Sequence, residues 1–296
     1  MKILVFDVGG TSIKHGICIN DELTAVSETP TNAKLGGRHI MDVLFELVGK
    51  EEGFDAIGIS TAGQVNASDG SIKYANSNIP GYTGTQIRKE LEEAFHVPVY
   101  VENDVNSAAM GEAIFGAGKE QDAFLCLTYG TGVGGAIIEN KEIYHGSSFS
   151  AGEFGAVVTH GEAKIAGTDY FDGCYERYAS TTALVQMAKA YRPELDNGRK
   201  IFGALEDPKV MEILDAWVDE ILLGLSSIIH IFNPTCVILG GGVMVQPLIL
   251  EKLQKRRDKF IMPSFAHVEF KAAALGNSAG LLGAYHLAKV YAENKQ

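Results

Sequence analysis

Ile3-Leu4-Val5-Phe6-Asp7-Val8-Gly9-Gly10-Thr11-Ser12-Ile13-Lys14 is the stretch whose reading decides the fold. Four apolar residues closed by a carboxylate and two glycines describe a buried strand that ends in a tight turn. Beyond the turn, Ile13, His15, Ile17 and Ile19 alternate with Ser12, Lys14, Gly16 and Cys18, so a second strand follows and not a helix. The tip of this hairpin carries Asp, Gly, Gly and Thr. Glycines there let backbone N–H groups approach a ligand closely, and successive N–H groups in a turn make a concave anion site. Phosphate is the expected ligand. A carboxylate beside phosphate calls for a divalent cation between them, and Mg²⁺ suits one or two carboxylates plus substrate phosphates. Taken alone, the stretch could also be a plain hairpin turn.

Residues 124–139 repeat the design: Phe124-Leu-Cys-Leu-Thr128, a tip of Tyr129-Gly130-Thr131-Gly132-Val133-Gly134-Gly135, then Ala136-Ile-Ile and a turn-like Glu139-Asn140. Two strand–tip–strand units about 120 residues apart suggest two similar lobes facing one nucleotide. Gly130-x-Gly132-x-x-Gly135 also fits the dinucleotide fingerprint, but that fingerprint needs a helix next, and Ala-Ile-Ile reads as a strand. The P-loop pattern is absent, since Gly118-Lys119 is followed by Glu120.

With these two hairpins go Glu102-Asn103-Asp104-x-Asn106, Gly152-Glu153-x-Gly155, Gly173-Cys174-x-Glu176 and Leu239-Gly240-Gly241-Gly242. In this order, over nearly the whole chain, the set resembles the ROK family of bacterial sugar kinases and sugar-responsive repressors. The resemblance implies an α/β, two-lobed actin-like ATPase (ribonuclease H-like) fold with the active site in the interlobe cleft. It further implies a smaller lobe at 1–118, on which a C-terminal helix at about 280–292 packs back, and a larger lobe at 119–296.

Composition agrees with an ordinary soluble globular protein. The 296 residues are 46% apolar and 21% charged, enough for a substantial core. A net charge of −12 argues against a nucleic-acid surface. The N-terminal apolar run is too short for a signal segment. The most apolar stretch, 220–245, is interrupted by Ser226-Ser227, His230, Asn233-Pro234 and three glycines, so no membrane span is expected. Cysteines at 18, 126, 174 and 236 show no paired spacing, as expected of reduced thiols in a cytoplasmic protein.

Along the chain, 22–29 reads as a strand, 37–49 as an amphipathic helix and 56–60 as a buried strand. The loop after that strand, with Gly63, lies where open α/β sheets place ligands and is a candidate sugar contact. Residues 73–84 form a punctuated loop ahead of a helix at 84–95, and the resemblance places Asn78 in it near the sugar. Val99-Tyr100-Val101 delivers Glu102-Asn103-Asp104 onto a helix at about 105–116. Asp104 could serve as an N-cap. Three such residues in a row exceed what a cap needs, and with the resemblance Asp104 reads as the general base, with Asn103 holding a neighbouring hydroxyl. The stretch 140–168 is loop-rich. In it the resemblance makes Glu153 a sugar ligand, with Glu176 following as the second. Helices are expected at 179–192, 199–205 and 207–231, then a strand at 235–239. The glycines after that strand, Gly240-Gly241-Gly242, let a flat ring lie against the backbone, and the resemblance makes this the adenosine site.

Two departures from the family pattern matter. The family's zinc-binding His position is Ala156, and its first two Cys positions are Gly167 and Asp169, which leaves Cys174 alone; no structural zinc is expected. The family often has Asp where this chain has Asn277 or Ser278. The resulting expectation is an ATP- and Mg²⁺-dependent sugar kinase acting on the 6-OH of glucose or of a β-glucoside such as cellobiose. Asp7 would hold Mg²⁺ through water. Gly9, Gly10, Thr11, Lys14, Gly130, Thr131 and Gly132 would cradle phosphates. N-acetylmannosamine or fructose phosphorylation and a non-catalytic sugar binder are the alternatives. A sugar-responsive repressor is disfavoured, because the first strand begins at residue 3. A homodimer is implied by the resemblance alone.

Overall fold

The computed structural model describes residues 1–295. In chain order it forms β1 (Lys2–Val8), β2 (Ser12–Ile19), β3 (Glu22–Pro30), α1 (Gly37–Val48), β4 (Ala56–Thr61), β5 (Gln64–Asn66), β6 (Ser71–Tyr74), α2 (Ile87–Phe95), β7 (Val99–Asn103) and α3 (Asp104–Phe115). Then follow β8 (Phe124–Tyr129), β9 (Val133–Glu139), β10 (Glu142–Ile143), α4 (Glu176–Ala179), α5 (Thr181–Tyr191), α6 (Gly198–Phe202), α7 (Pro208–Phe232), β11 (Cys236–Gly240), α8 (Pro247–Arg256), β12 (Glu269–Ala272) and α9 (Ala279–Glu293). The chain divides into two compact units. One holds Met1–Glu120, Ile138–Ala151 and the segment from Asn277; the other holds Gln121–Ile137 and Gly152–Gly276. Residues 138–151, which the sequence places in the larger lobe, cluster with the first unit. There the Lys141 ammonium donates to the carbonyls of Ala113, Gly118 and Lys119 at the end of α3, where a cation complements the helix dipole.

The sheet of the first unit has the order β3-β2-β1-β4-β7, with β1 antiparallel to β2 and parallel to β4. Five of the seven residues of β1, Ile3 to Phe6 and Val8, are buried because both faces of the strand are covered. Leu4, Phe6 and Val8 enter a core with Ile40, Leu44, Ile57, Ile59 and Val101, while Ile3 and Val5 pack with Leu281, Tyr285 and Ala288 of α9. Glycine lets α9 come close. A Cβ on Gly283 would stand 1.7 Å from the Ser107 carbonyl oxygen, and one on Gly111 would stand 2.3 Å from that of Ala279, so α3 and α9 cross backbone to backbone.

In the second unit the sheet runs β9-β8-β11-β12, with β11 parallel to both its neighbours. Trp217 of α7 is fully buried, and its indole N–H donates to the carbonyls of Ala179 and Ser180. Some elements start elsewhere than the sequence suggests. β6 occupies 71–74, and α2 begins at Ile87, three residues late, because Tyr82 is fully buried and Gly84 and Thr85 hydrogen-bond back to Ile72 and Tyr82. The helix expected over 179–192 is broken at Ser180, whose hydroxyl caps α5 by accepting from Ala183 N–H. α8 and β12 had no counterpart in the sequence reading.

Candidate active site

In the first unit Asp7 and Lys14 face each other across the β1–β2 pair, so the hairpin presents an acid and a base on either side of its tip. The tip is closed by Gly9 N–H donating to Ser12 O at 3.0 Å. It is tied from outside by Thr31, whose N–H donates to Thr11 O and whose hydroxyl donates to Gly9 O at 2.7 Å. Burial raises the Asp7 pKa above the ordinary aspartate range, against the lowering by the Ser60 hydroxyl, which donates to Asp7 Oδ1 at 2.7 Å, and by the Lys14 charge. A Cβ on Gly280 would lie 3.1 Å from the Asp7 carboxyl. The first turn of α9 therefore abuts the carboxylate, where a helix N-terminus favours negative charge. Sequence reading noted Gly280 only as part of a helix start. Lys14 Nζ donates to Asn277 Oδ1 at 3.3 Å, so the lysine meets an amide oxygen at the start of the segment that leads into α9.

The second group stands where β7 runs into α3. Asn103, and not Asp104, is the N-cap: its Oδ1 accepts from the N–H groups of Val105 and Asn106. Its other amide atom, Nδ2, donates at 2.9 Å both to Gly63 O and to Asp104 Oδ1. Asp104 is thereby released from capping and held by its neighbour. Burial, reinforced by the nearby Asp7 charge, raises its pKa from 3.8 to about 6. Gly63 has φ +97°, and a Cβ there would meet Tyr74 O at 3.0 Å, which is why this loop uses glycine. Asn78 lies in an exposed loop; with Gly10, Thr11, Asn32 and Lys34 it lines a cavity of about 580 Å³. The structure thus brings Asn78 to the first glycine hairpin, and brings Gly63, Asn103 and Asp104 together around one amide.

In the second unit Gly130 N–H donates to Gly132 O at 3.0 Å at the tip of the β8–β9 hairpin, and Thr181 donates to Tyr129 O at 2.9 Å. Gly130, Thr131 and Gly242 share a cavity of about 720 Å³ with Thr181, Asn197 and Arg199. Gly241 sits at φ +111°, and a Cβ would stand 2.2 Å from Tyr129 O; only glycine lets β11 turn this closely over the hairpin. Thr181, Asn197 and Arg199 escaped the sequence reading, since they sit at helix starts in a polar region without a motif. Glu176 lies over the same hairpin: a Cβ on Gly132 would be 2.5 Å from its Oε2, and one on Gly155 would be 3.1 Å away. Burial raises its pKa, the Val133 N–H lowers it, and the charge of Glu153 raises it further. Glu153 precedes the short turn Phe154–Ala156 and is exposed.

The donors around Cys174 do not fit a closed zinc site. The buried thiol faces the Lys164 ammonium at 3.7 Å, and Asp169 is paired with Arg177 at 2.8 Å. An ammonium stands where a thiolate ligand would need a metal.

The sequence model of the ROK family matches residues 3–290. The chain belongs to the ROK family. A β-glucoside kinase of Listeria monocytogenes is 30% identical over 294 residues, 97% of each chain. The ROK hexokinase of Thermus thermophilus superimposes with a TM-score of 0.84 at 30% identity, over 99% of this chain and 100% of that one. A ROK glucokinase of Streptomyces griseus, solved with glucose and AMPPNP, gives 0.82 at 30% identity over 98% and 100%. The α/β architecture is the actin-like ATPase fold of these ROK enzymes.

Proposed function

We propose that the chain is an ATP:sugar phosphotransferase that transfers the γ-phosphoryl group of ATP to the 6-hydroxyl of glucose or of a β-glucoside such as cellobiose. Its ROK relatives of similar length are named β-glucoside kinase, hexokinase and glucokinase. The observation that carries the chemistry is Asp104, a carboxylate with its pKa raised to about 6, held by the amide that also caps α3. Such a group is ionised at neutral pH yet basic enough to accept a proton. As the sugar oxygen bonds to the γ-phosphorus, its proton passes to Asp104, and the bond from that phosphorus to the departing ADP oxygen breaks. Asn103 keeps Asp104 aimed and holds a neighbouring sugar hydroxyl, Glu153 and Glu176 accept from sugar hydroxyls, and Gly63 and Asn78 complete the sugar contacts. Gly9, Gly10, Thr11 and Lys14, with Gly130, Thr131 and Gly132, bind the phosphates. Gly240, Gly241 and Gly242 lie against adenosine.

Mg²⁺ fits Asp7. Ser60 occupies Oδ1, Oδ2 is left to accept from a metal-bound water, and a cation would favour the ionised form that burial opposes. When bound there, Mg²⁺ screens the phosphate charge. Four buried free cysteines support a reducing, cytoplasmic setting, and no helix among the described residues is long and apolar enough to cross a membrane. A homodimer is proposed on family grounds and is checked by sedimentation.

The deciding experiment is a coupled ADP-release assay with MgATP against glucose, cellobiose, a β-methyl glucoside, mannose, fructose and N-acetylmannosamine. Turnover of a β-glucoside or glucose supports the reading. A preference for N-acetylmannosamine or fructose replaces its substrate, and no turnover on any sugar turns the chain into a sugar binder.

A further inference from the structure

Residues 144–151 take no part in the chemistry above, yet they are fastened to both supports of Asp104. His145 Nε2–H donates to Glu102 Oε2 at 2.8 Å. Glu102 is fully buried, and its Oε1 accepts from Asn103 N–H at 2.9 Å and from Asn106 Nδ2 at 3.0 Å. A buried carboxylate needs such donors, and the loss of one leaves a costly unpaired acceptor. At the other end of the segment, Ser150 donates to Gln64 Oε1 at 2.9 Å, and Lys73 Nζ donates to Ser148 O at 2.5 Å and to Ser150 Oγ at 3.3 Å. Gln64 follows Gly63, whose carbonyl accepts from the same Asn103 amide that holds Asp104.

Inside the strap, Ala151 N–H donates to His145 O, and the Phe149 ring stands edge-on to the imidazole at 5.8 Å. Phe149 has φ +58°, a backbone conformation that a bulky residue holds only when its surroundings impose it. The strap therefore has one imposed shape with a tie at either end.

We propose that His145 is a positioning residue for the phosphoryl transfer. By joining Glu102 to the strap that Ser150 fastens to Gln64, it closes a ring of contacts through Asn103 and Gly63 and fixes the direction in which Asp104 points. A carboxylate displaced by a fraction of an ångström no longer meets the sugar hydroxyl in line, while ATP, held elsewhere, is unaffected. The proposal rests on Asp104 being the base.

The test uses the full chain with MgATP and the best sugar of the panel, and compares wild type, His145→Ala, His145→Gln and Asp104→Asn by steady-state kinetics and thermal melting. His145→Ala is expected to lower kcat about tenfold or more with the KM for ATP unchanged. His145→Gln, whose amide N–H reaches the same carboxylate, restores most of that loss. Wild-type kcat and sugar KM in His145→Ala overturn the proposal, as does an equal loss in the Gln variant. If His145→Ala does not fold, Ser150→Ala releases the other tie: a lowered kcat with unchanged ATP KM supports the strap, and an unchanged kcat overturns it. Full turnover in Asp104→Asn refutes the base reading itself; an inactive Asp104→Asn beside a normal His145→Ala removes only the strap.

Discussion

Replacing Asp104 by Asn separates catalysis from stability in a way that few substitutions allow. The amide is nearly isosteric, and its Oδ1 still accepts from Asn103 Nδ2 and Val105 N–H, both at 2.9 Å. What disappears is the charge. A pKa raised from 3.8 to about 6 means that the folded chain resists ionising this group. Two pKa units at about 1.4 kcal/mol each make the resistance about 3 kcal/mol, trimmed to about 1–3 kcal/mol because the side chain is only partly buried. The sign follows from proton binding. Below pH 3.8 both folded and unfolded chains carry the neutral acid, and the cost is absent; between 3.8 and about 6 it grows; above about 6 it is fully present. Asp104→Asn should therefore melt higher than wild type at pH 8 and level with it near pH 3.5, while kcat falls at least about 10²-fold. Wild-type kcat/KM should drop as pH falls through about 6, when the base becomes protonated. Melting in parallel at both pH values would refute the buried-charge argument, and near-normal turnover would remove Asp104 from its role.

Gly241→Ala forces a Cβ into a left-handed backbone position 2.2 Å from Tyr129 O, so it should destabilise the chain by about 1–3 kcal/mol and raise the KM for ATP, read by melting and kinetics. Glu176→Gln should raise the sugar KM about tenfold or more while the ATP KM moves little, because only a carboxylate accepts from vicinal hydroxyls on both oxygens; equal effects on both substrates would contradict the sugar role. A tag-free sample should carry no stoichiometric zinc by elemental analysis, and chelator should leave its melting temperature unchanged, since Lys164 and Arg177 already occupy Cys174 and Asp169.

The fold was legible where chemistry and periodicity coincide. Ile3 to Phe6 and Val8 of β1 are apolar because both faces of the strand are buried, and Asp7 with the glycine pair marks where the strand ends in a turn. The same logic located β8 and the strand before Gly240. Local signals were weakest where tertiary contacts overrule them. Fully buried Tyr82 sits in a stretch that reads as a surface loop, its hydroxyl 2.7 Å from that of Thr61, and nothing in its neighbours announces this. α8 and β12 lie in a stretch without motif or strong turn signals. The placing of 138–151 with the first unit depends on Lys141 meeting carbonyls more than twenty residues away, a contact that no local pattern encodes.

The cluster Glu102-Asn103-Asp104 shows why sites are read less completely than folds. From sequence, three adjacent polar residues at a helix start do not show which of them is the cap, since one suffices. In the structure each has a separate task set by where its side chain leaves the backbone. Glu102, the fourth residue of β7, points inward and is fully buried against His145 and Asn106. Asn103, at the junction, has the one side chain with both acceptor and donors, so it can cap α3 and still hold Gly63 and Asp104. Asp104, first in the helix, is left out of the N-cap position, its Oδ1 accepting from Asn103 Nδ2 and from Val105 N–H. An aspartate at 103 could cap the helix but could donate nothing to Asp104 and would place a second negative charge against it, whereas a serine could cap but not reach both partners. The division of labour thus requires Asn between the two acids, and it makes Asn103→Asp the substitution that should leave α3 capped yet lower kcat in steady-state kinetics, by releasing both Asp104 and the Gly63 carbonyl.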